Sequence, residues 1–245
     1  MMKTYRIRPF ALSYCEIDSG IFTYRFNYGK KVKSTSYLWY IEGASKNIIV
    51  DTGSDAKLRA QFRGNKAGVD LISFEDALAT LGLKPEDIDL VIQTHLQWDH
   101  VGNNFKCKKA KVLVQEDELN FALNPHPILA PTYAGHLLKG LNYQVVKGYC
   151  EIEPGIDVFL SPGHTPGCQS VSVMTDQGRA IITGFCCINA NFNPPEEVRS
   201  LTPVLPSGTH LSVVDSFESA VRVKGMADIL IPLHEPSLMG VKAIP

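Results

Sequence analysis

Three short apolar runs in this 245-residue chain each end by releasing a histidine. Leu90-Val91-Ile92 leads into Thr94-His95-Leu96-Gln97-Trp98-Asp99-His100-Val101-Gly102-Asn103. Val158-Phe159-Leu160 leads into Ser161-Pro162-Gly163-His164-Thr165-Pro166-Gly167, and Ile229-Leu230-Ile231 into Pro232-Leu233-His234-Glu235. Apolar runs of this length, closed by glycine, proline and polar residues, read as buried strands. Loops released from the ends of strands on a rigid sheet are where concave sites are built. The pattern therefore asks for a sheet fold whose strand ends meet.

The first of these loops brings two imidazoles and a carboxylate within six residues, His95, Asp99 and His100. Imidazole nitrogen and carboxylate oxygen suit zinc, iron or manganese. In a loop such side chains converge without helical spacing. Alone, the stretch also has a plainer, second-ranked reading as a solvated loop; His164 and His234 at two further strand ends argue against that.

Taken in order, these pieces resemble the metallo-β-lactamase superfamily, and within it the branch of N-acyl-homoserine lactonase-like hydrolases. The matching pieces are Val50-Asp51-Thr52-Gly53, the histidine-rich loop, residues 161–167, Ile182-Thr183-Gly184 and Leu233-His234-Glu235, covering the chain from about residue 37 to 236. The resemblance implies an α/β fold, the αββα four-layer sandwich, as one domain over 1–245 with a substrate-covering insertion at about 124–149. It implies His95 and His164 at one metal position, and Asp99, His100 and His234 at a second. Asp51 would lie below the loop and orient it by hydrogen bonds; capping the turn before Gly53 is a compatible role.

Two departures alter that set. The pattern His-x-His-x-Asp-His carries Gln97 in place of its second histidine, and Thr-Gly-Asp, the source of a bridging carboxylate, carries Phe185. A Gln97 carboxamide is an uncharged and weaker ligand. Cys186 or Cys187 could offer a thiolate near the missing aspartate. In an extended strand Phe185 and Cys187 share a face, so Cys187 is better aimed if Phe185 faces the site, and a bulge favours Cys186. The plainer role for both, small buried hydrophobes, is the first expectation. The complete set is Asp99/His100/His234, so one divalent metal is expected ahead of two, zinc first, with iron or manganese as alternatives. Three ligands plus water is the usual catalytic zinc arrangement.

The resemblance implies hydrolysis of a small-molecule cyclic ester or cyclic amide, with Asp99 holding the water and carrying the proton. A glyoxalase-type thioester hydrolase is the enzymatic alternative. A non-catalytic binding or regulatory protein keeping the fold with a degenerate site is the alternative of another kind. Redox iron is disfavoured, since it needs carboxylates at the two altered positions.

Composition narrows the partners. A formal net charge of -1 gives no broad attraction to nucleic acid or anionic membrane. Lys106, Lys108, Lys109 and Lys111 read as a solvated face. No apolar run reaches membrane-spanning length, and the amino terminus lacks an apolar signal region. Six scattered cysteines suggest free thiols and a cytoplasmic home.

Along the chain, alternation predicts strands within 1–40, with 36–41 pairing against 47–50. A helix over 73–81 is capped by Ser73. A strand at 111–115 precedes a helix over Glu116–Leu123. Residues 124–149, interrupted by Pro125, Pro127 and Pro131, are the least regular part. They offer Tyr133, His126 and His136 beside Phe185 as pocket candidates, although each of those three reads first as a plain loop or partner-subunit contact, and residues 133–149 could supply a homodimer interface. Strands at 157–160, 170–174 and 180–183, a loop over 189–210 and a helix over 212–223 complete the reading.

Overall fold

The computed structural model describes residues 3–63 and 68–245; Met1 and Met2, the start of the stretch read for a signal, lie outside the described residues. Seven strands form the first sheet: β1 (Arg6–Asp18), β2 (Lys31–Glu42), β3 (Ile48–Val50), β4 (Val69–Asp70), β5 (Leu90–Ile92), β6 (Lys111–Gln115) and β7 (Tyr143–Val146), in the order β4-β1-β2-β3-β5-β6-β7. Five form the second: β8 (Cys150–Glu153), β9 (Ile156–Leu160), β10 (Gln169–Thr175), β11 (Gly178–Ile182) and β12 (Ile229–Ile231), in the order β12-β11-β10-β9-β8. The helices are α1 (Ala56–Arg63), α2 (Phe74–Ala79), α3 (Trp98–Val101), α4 (Glu116–Leu123), α5 (Asn189–Phe192), α6 (Glu196–Arg199) and α7 (Val213–Met226).

The central strands are apolar throughout because both their faces are buried. Trp39, Ile41, Ile48, Val50, Ile92 and Leu113 point between the sheets, meeting Ile156, Val158, Val171, Val173, Ala180, Ile182 and Ile231. The alternate residues Leu38, Ile49, Val91 and Val112 point outward, onto Phe74, Ala77 and Leu78 of α2. On the far side Phe159 and Ile181 meet Ala220 and Val223 of α7. Helix, sheet, sheet and helix are thus layered in that order. Ser73 accepts from the Asp76 N–H at 3.0 Å to start α2, as its spacing predicts.

Truncating Leu78, fully buried against the outer face of the first sheet, removes contacts that α2 cannot recover elsewhere. Leu78→Ala is expected to lower stability by about 2–5 kcal/mol. Urea denaturation checks this: the midpoint drops while the slope stays unchanged.

Topology places the site. β3, β5 and β6 are parallel neighbours, so Asp51 and the 94–103 loop leave the same edge. β9 and β11 both run antiparallel to β10, and β12 runs parallel to β11, so the loops after Leu160, Ile182 and Ile231 share one edge of the second sheet.

Three readings are corrected, and one element is not read from the sequence at all. Trp98–Val101 is a short helix rather than open loop. The stretch 189–210 holds α5 and α6, and the irregular 124–149 stretch ends in β7. Ala56–Arg63 is a helix that the periodicity does not announce.

Candidate metal centre

The two edges meet, and their histidines close on one another. Ring centroids of His95 and His100 are 4.1 Å apart, of His95 and His164 4.8 Å, and of His100 and His234 5.1 Å. All four are buried. Ligand atoms of Asp99, His100 and His234 lie within 4.8 Å of one another.

Asp51 sits beneath the loop, in the left-handed region at φ 53°. A non-glycine residue holds that conformation only where its surroundings over-determine it. Here its carboxylate accepts from the Thr94 N–H (2.8 Å) and the Thr94 hydroxyl (2.7 Å), and meets His100 Nδ1 at 2.7 Å. The backbone approach around it is equally tight: a Cβ at Gly102 would meet the Gly53 carbonyl oxygen at 2.5 Å.

Three imidazoles share one design. His100 Nδ1 faces Asp51; His164 Nδ1 donates to the Thr209 carbonyl at 2.6 Å, and His234 Nδ1 to the Thr35 carbonyl at 2.9 Å. An acceptor at Nδ1 fixes the tautomer and leaves Nε2 with its lone pair, the arrangement that outer partners impose on metal-binding histidines. Nε2 of His95 and of His100 are buried without a hydrogen-bond partner among the described residues.

Electrostatics follow from that packing. Burial pushes the pKa of His164 down to about 4 and of His234 down to about 3, with positive charge on His100 adding to both. His95 falls well below its usual value, through burial and then its three imidazole neighbours. Burial also disfavours charge on His100, but the Asp99 and Asp51 carboxylates outweigh it and raise its pKa. Neutral imidazoles grouped around carboxylates that favour positive charge form a donor set fitted to a divalent cation.

Asp99, His164 and His234 open onto a cavity of about 460 Å³. Its walls include Ile17, Ile21, Phe22 and Trp98, with Leu129, Pro131, Thr132 and Tyr133 supplied by the irregular segment. Tyr133 thus lies at the cavity, whereas His126 and His136 are exposed and do not line it. Gln97 lines it too, with its side chain against the Tyr133 hydroxyl. Phe185 does not: it is buried with Phe159 and Phe192 behind the second sheet, and Cys187 lies on the same side with its thiol 3.0 Å from the Thr183 hydroxyl. Cys186 faces the other way and lines the cavity. The alternation across residues 185–187 is therefore kept, but with Phe185 turned from the site. None of the six cysteines is in a disulfide.

Several participants carry no sequence signal. The Thr35 and Thr209 acceptors are backbone carbonyls, which any residue supplies. Glu118, within the acidic run Glu116-Asp117-Glu118, is fully buried; its spacing of four from the buried Ala122 was the available hint.

A family profile for the Metallo-beta-lactamase superfamily matches residues 33–224. The chain belongs to that superfamily. Among curated relatives, N-acyl homoserine lactonase AiiA of Bacillus thuringiensis subsp. kurstaki is 26% identical over 178 residues, 69% of this chain and 70% of that protein. Metallo-beta-lactamase domain-containing protein 1 of Mus musculus is 29% identical over 167 residues, 65% of this chain and 53% of that protein. A solved N-acyl homoserine lactone hydrolase with N-hexanoyl-L-homoserine at its catalytic metal centre superposes with TM-score 0.78 at 22% identity, covering 99% of this chain and all of that one. The fold is the two-sheet α/β architecture of these structures.

Proposed function

We propose that this protein is a metal-dependent hydrolase that opens a small cyclic ester or cyclic amide, using one divalent cation held by Asp99, His100 and His234. The observation that carries the reading is the convergence of the Asp99, His100 and His234 ligand atoms within 4.8 Å of one another, with the His100 and His234 rings each anchored through Nδ1. Ester or amide ring opening is supported by the lactonase relatives alone.

A cation in this set supplies Lewis acidity, lowering the pKa of water and polarising a carbonyl. The chain's own residues do the rest. Asp51 holds the loop and His100 in register. Asp99, at the cavity wall, orients the attacking water and carries its proton to the leaving oxygen or nitrogen. Tyr133, Phe22 and Trp98 surround the ring and exclude bulk water. A second cation would find a weaker set: beside His95 and His164 stand Gln97, engaged with Tyr133, and the Cys186 thiol at the cavity, while Phe185 is turned away.

Elemental analysis of untagged protein tests this. About one equivalent of zinc, iron or manganese per chain is expected, retained in Gln97→Ala and lost in His234→Ala. Absence of metal after incubation with all three ions overturns the proposal and leaves a binding protein. Turnover of thioesters but not lactones or cyclic amides would keep the metal centre and replace the substrate class.

A further inference from the structure

We infer that Glu118 is a positioning residue, a single buried carboxylate on α4 that locks two of the three histidine-bearing loops and the Tyr133 wall into one unit. Its Oε1 accepts from the Leu96 N–H at 2.9 Å and from the Tyr133 hydroxyl at 3.3 Å; its Oε2 accepts from the Thr165 hydroxyl at 2.5 Å. The Gly167 N–H donates to it as well. Leu96 follows His95, and Thr165 follows His164. One side chain therefore sets the spacing of the rings of His95 and His164.

The burial is otherwise unexplained. Glu118 is fully buried, and no ion pair among the described residues includes it. A carboxylate taken out of water without a cation carries a desolvation penalty of several kcal/mol even when hydrogen-bonded. A leucine would anchor α4 at no such penalty. What leucine cannot do is gather four donors from three separate segments. Gly167 shows how closely the loop is drawn in: a Cβ there would collide with the backbone of Glu118 itself. Through the Leu96 N–H, Glu118 also holds the 94–103 loop, which carries the proposed ligands Asp99 and His100. Loss of a partner one step removed from ligands typically weakens metal binding roughly ten- to a hundredfold.

The inference rests on the proposed metal centre for one of its two readouts only. Glu118→Gln keeps the shape but presents an NH₂ group to donors that need an acceptor. Leu78→Ala, on the far face of the first sheet, serves as the control for general destabilisation. Hydrogen exchange on metal-free protein is expected to show residues 94–103 and 161–168 opening together in Glu118→Gln and not in Leu78→Ala. Zinc affinity, measured by competition with a chromophoric chelator, is expected to fall roughly ten- to a hundredfold in Glu118→Gln and to hold in Leu78→Ala. Unchanged exchange in the two loops, or zinc affinity equal to wild type, overturns the inference. If wild-type protein itself binds no zinc, the proposed function fails and exchange alone decides the role of Glu118. Should Glu118→Gln not fold, Thr165→Val, which removes one donor, is read by the same two measurements: looser 94–103 and 161–168 loops support the clamp, and wild-type exchange overturns it.

Discussion

Under the proposed hydrolase function, replacing Asp99 by asparagine is expected to cut turnover about a thousandfold while leaving the fold intact. Two losses combine. The carboxamide keeps the shape but loses the charge that favours a cation beside His100, whose Nε2 stands 3.7 Å from Asp99 Oδ2. It also cannot take a proton from water at neutral pH, and removing a positioned proton carrier typically costs about 10²–10⁴-fold. The backbone role of Asp99 survives, because the Ser36 hydroxyl donates at 2.7 Å to its main-chain carbonyl and not to the side chain. Gln97→Ala, two residues away, should change turnover by less than about tenfold, since an uncharged carboxamide is a weak ligand. Steady-state kinetics with metal content measured on the same samples separates the two losses. A variant that keeps its metal but loses the turnover has lost proton transfer; loss of both together marks Asp99 as a ligand. Retention of both would remove Asp99 from the reaction.

How much of this was legible depends on where each residue's signal lies. The strands around the site announce themselves. β3 and β5 are buried on both faces. β12, though at a sheet edge and partly buried, packs apolar residues on both sides, so all three read as unbroken apolar runs. The histidines are legible for the same reason: they follow those runs at once. β7 and β8 are half-exposed strands at the sheet edges, with no apolar run to show them. α1 reads Ala-Lys-Leu-Arg-Ala-Gln-Phe-Arg, and its burial of Arg59 against Ser13 and Trp98 hides a charged residue where an apolar one would have marked the face. α3 is a single turn, too short for any period.

The altered positions show a different limit. That Gln97 and Phe185 break the family pattern is plain from the sequence; what they do is not. Phe185 joins an apolar cluster with Cys187 while Cys186 reaches the cavity, and which face of this alternating stretch turns to the site is decided by packing against Phe159 and Phe192. Gln97 meets Tyr133 across 36 residues of chain, a long-range contact that no local pattern encodes. Glu118 is the extreme case: an acidic residue in the first turn of a helix normally serves the helix dipole from the surface. Only the arrival of the Leu96, Thr165 and Tyr133 donors turns it into the hub of the site.

The metal-free protein is expected to lose stability steeply as the pH falls from about 6.5 towards 4. His164 and His234 are held neutral in the folded state, with pKa values pushed down to about 4 and about 3 from 6.5, burial being the main cause. The unfolded chain titrates these groups near 6.5, so below that pH it binds more protons than the folded one. Stability is then complete above 6.5 and drains away as the pH falls toward the folded values; His95 contributes in the same direction. His100 opposes them. Its pKa is raised by Asp99 and Asp51 over the opposing effect of burial, so its contribution is full below 6.5 and is lost as the pH rises through the raised value. Three depressed imidazoles outweigh one raised one on the acid side. The net loss is on the order of several kcal/mol, since a tenfold change in proton affinity is worth about 1.4 kcal/mol. That is a large share of the usual stability of a domain. Melting temperatures of chelator-treated protein from pH 8 to pH 4 measure it. His164→Gln, which removes one depressed imidazole, should flatten the acid limb. A melting temperature that stays level from pH 6.5 to 4 would mean that these histidines meet water in the metal-free protein, and that the tautomers drawn from their Nδ1 partners do not hold without the cation.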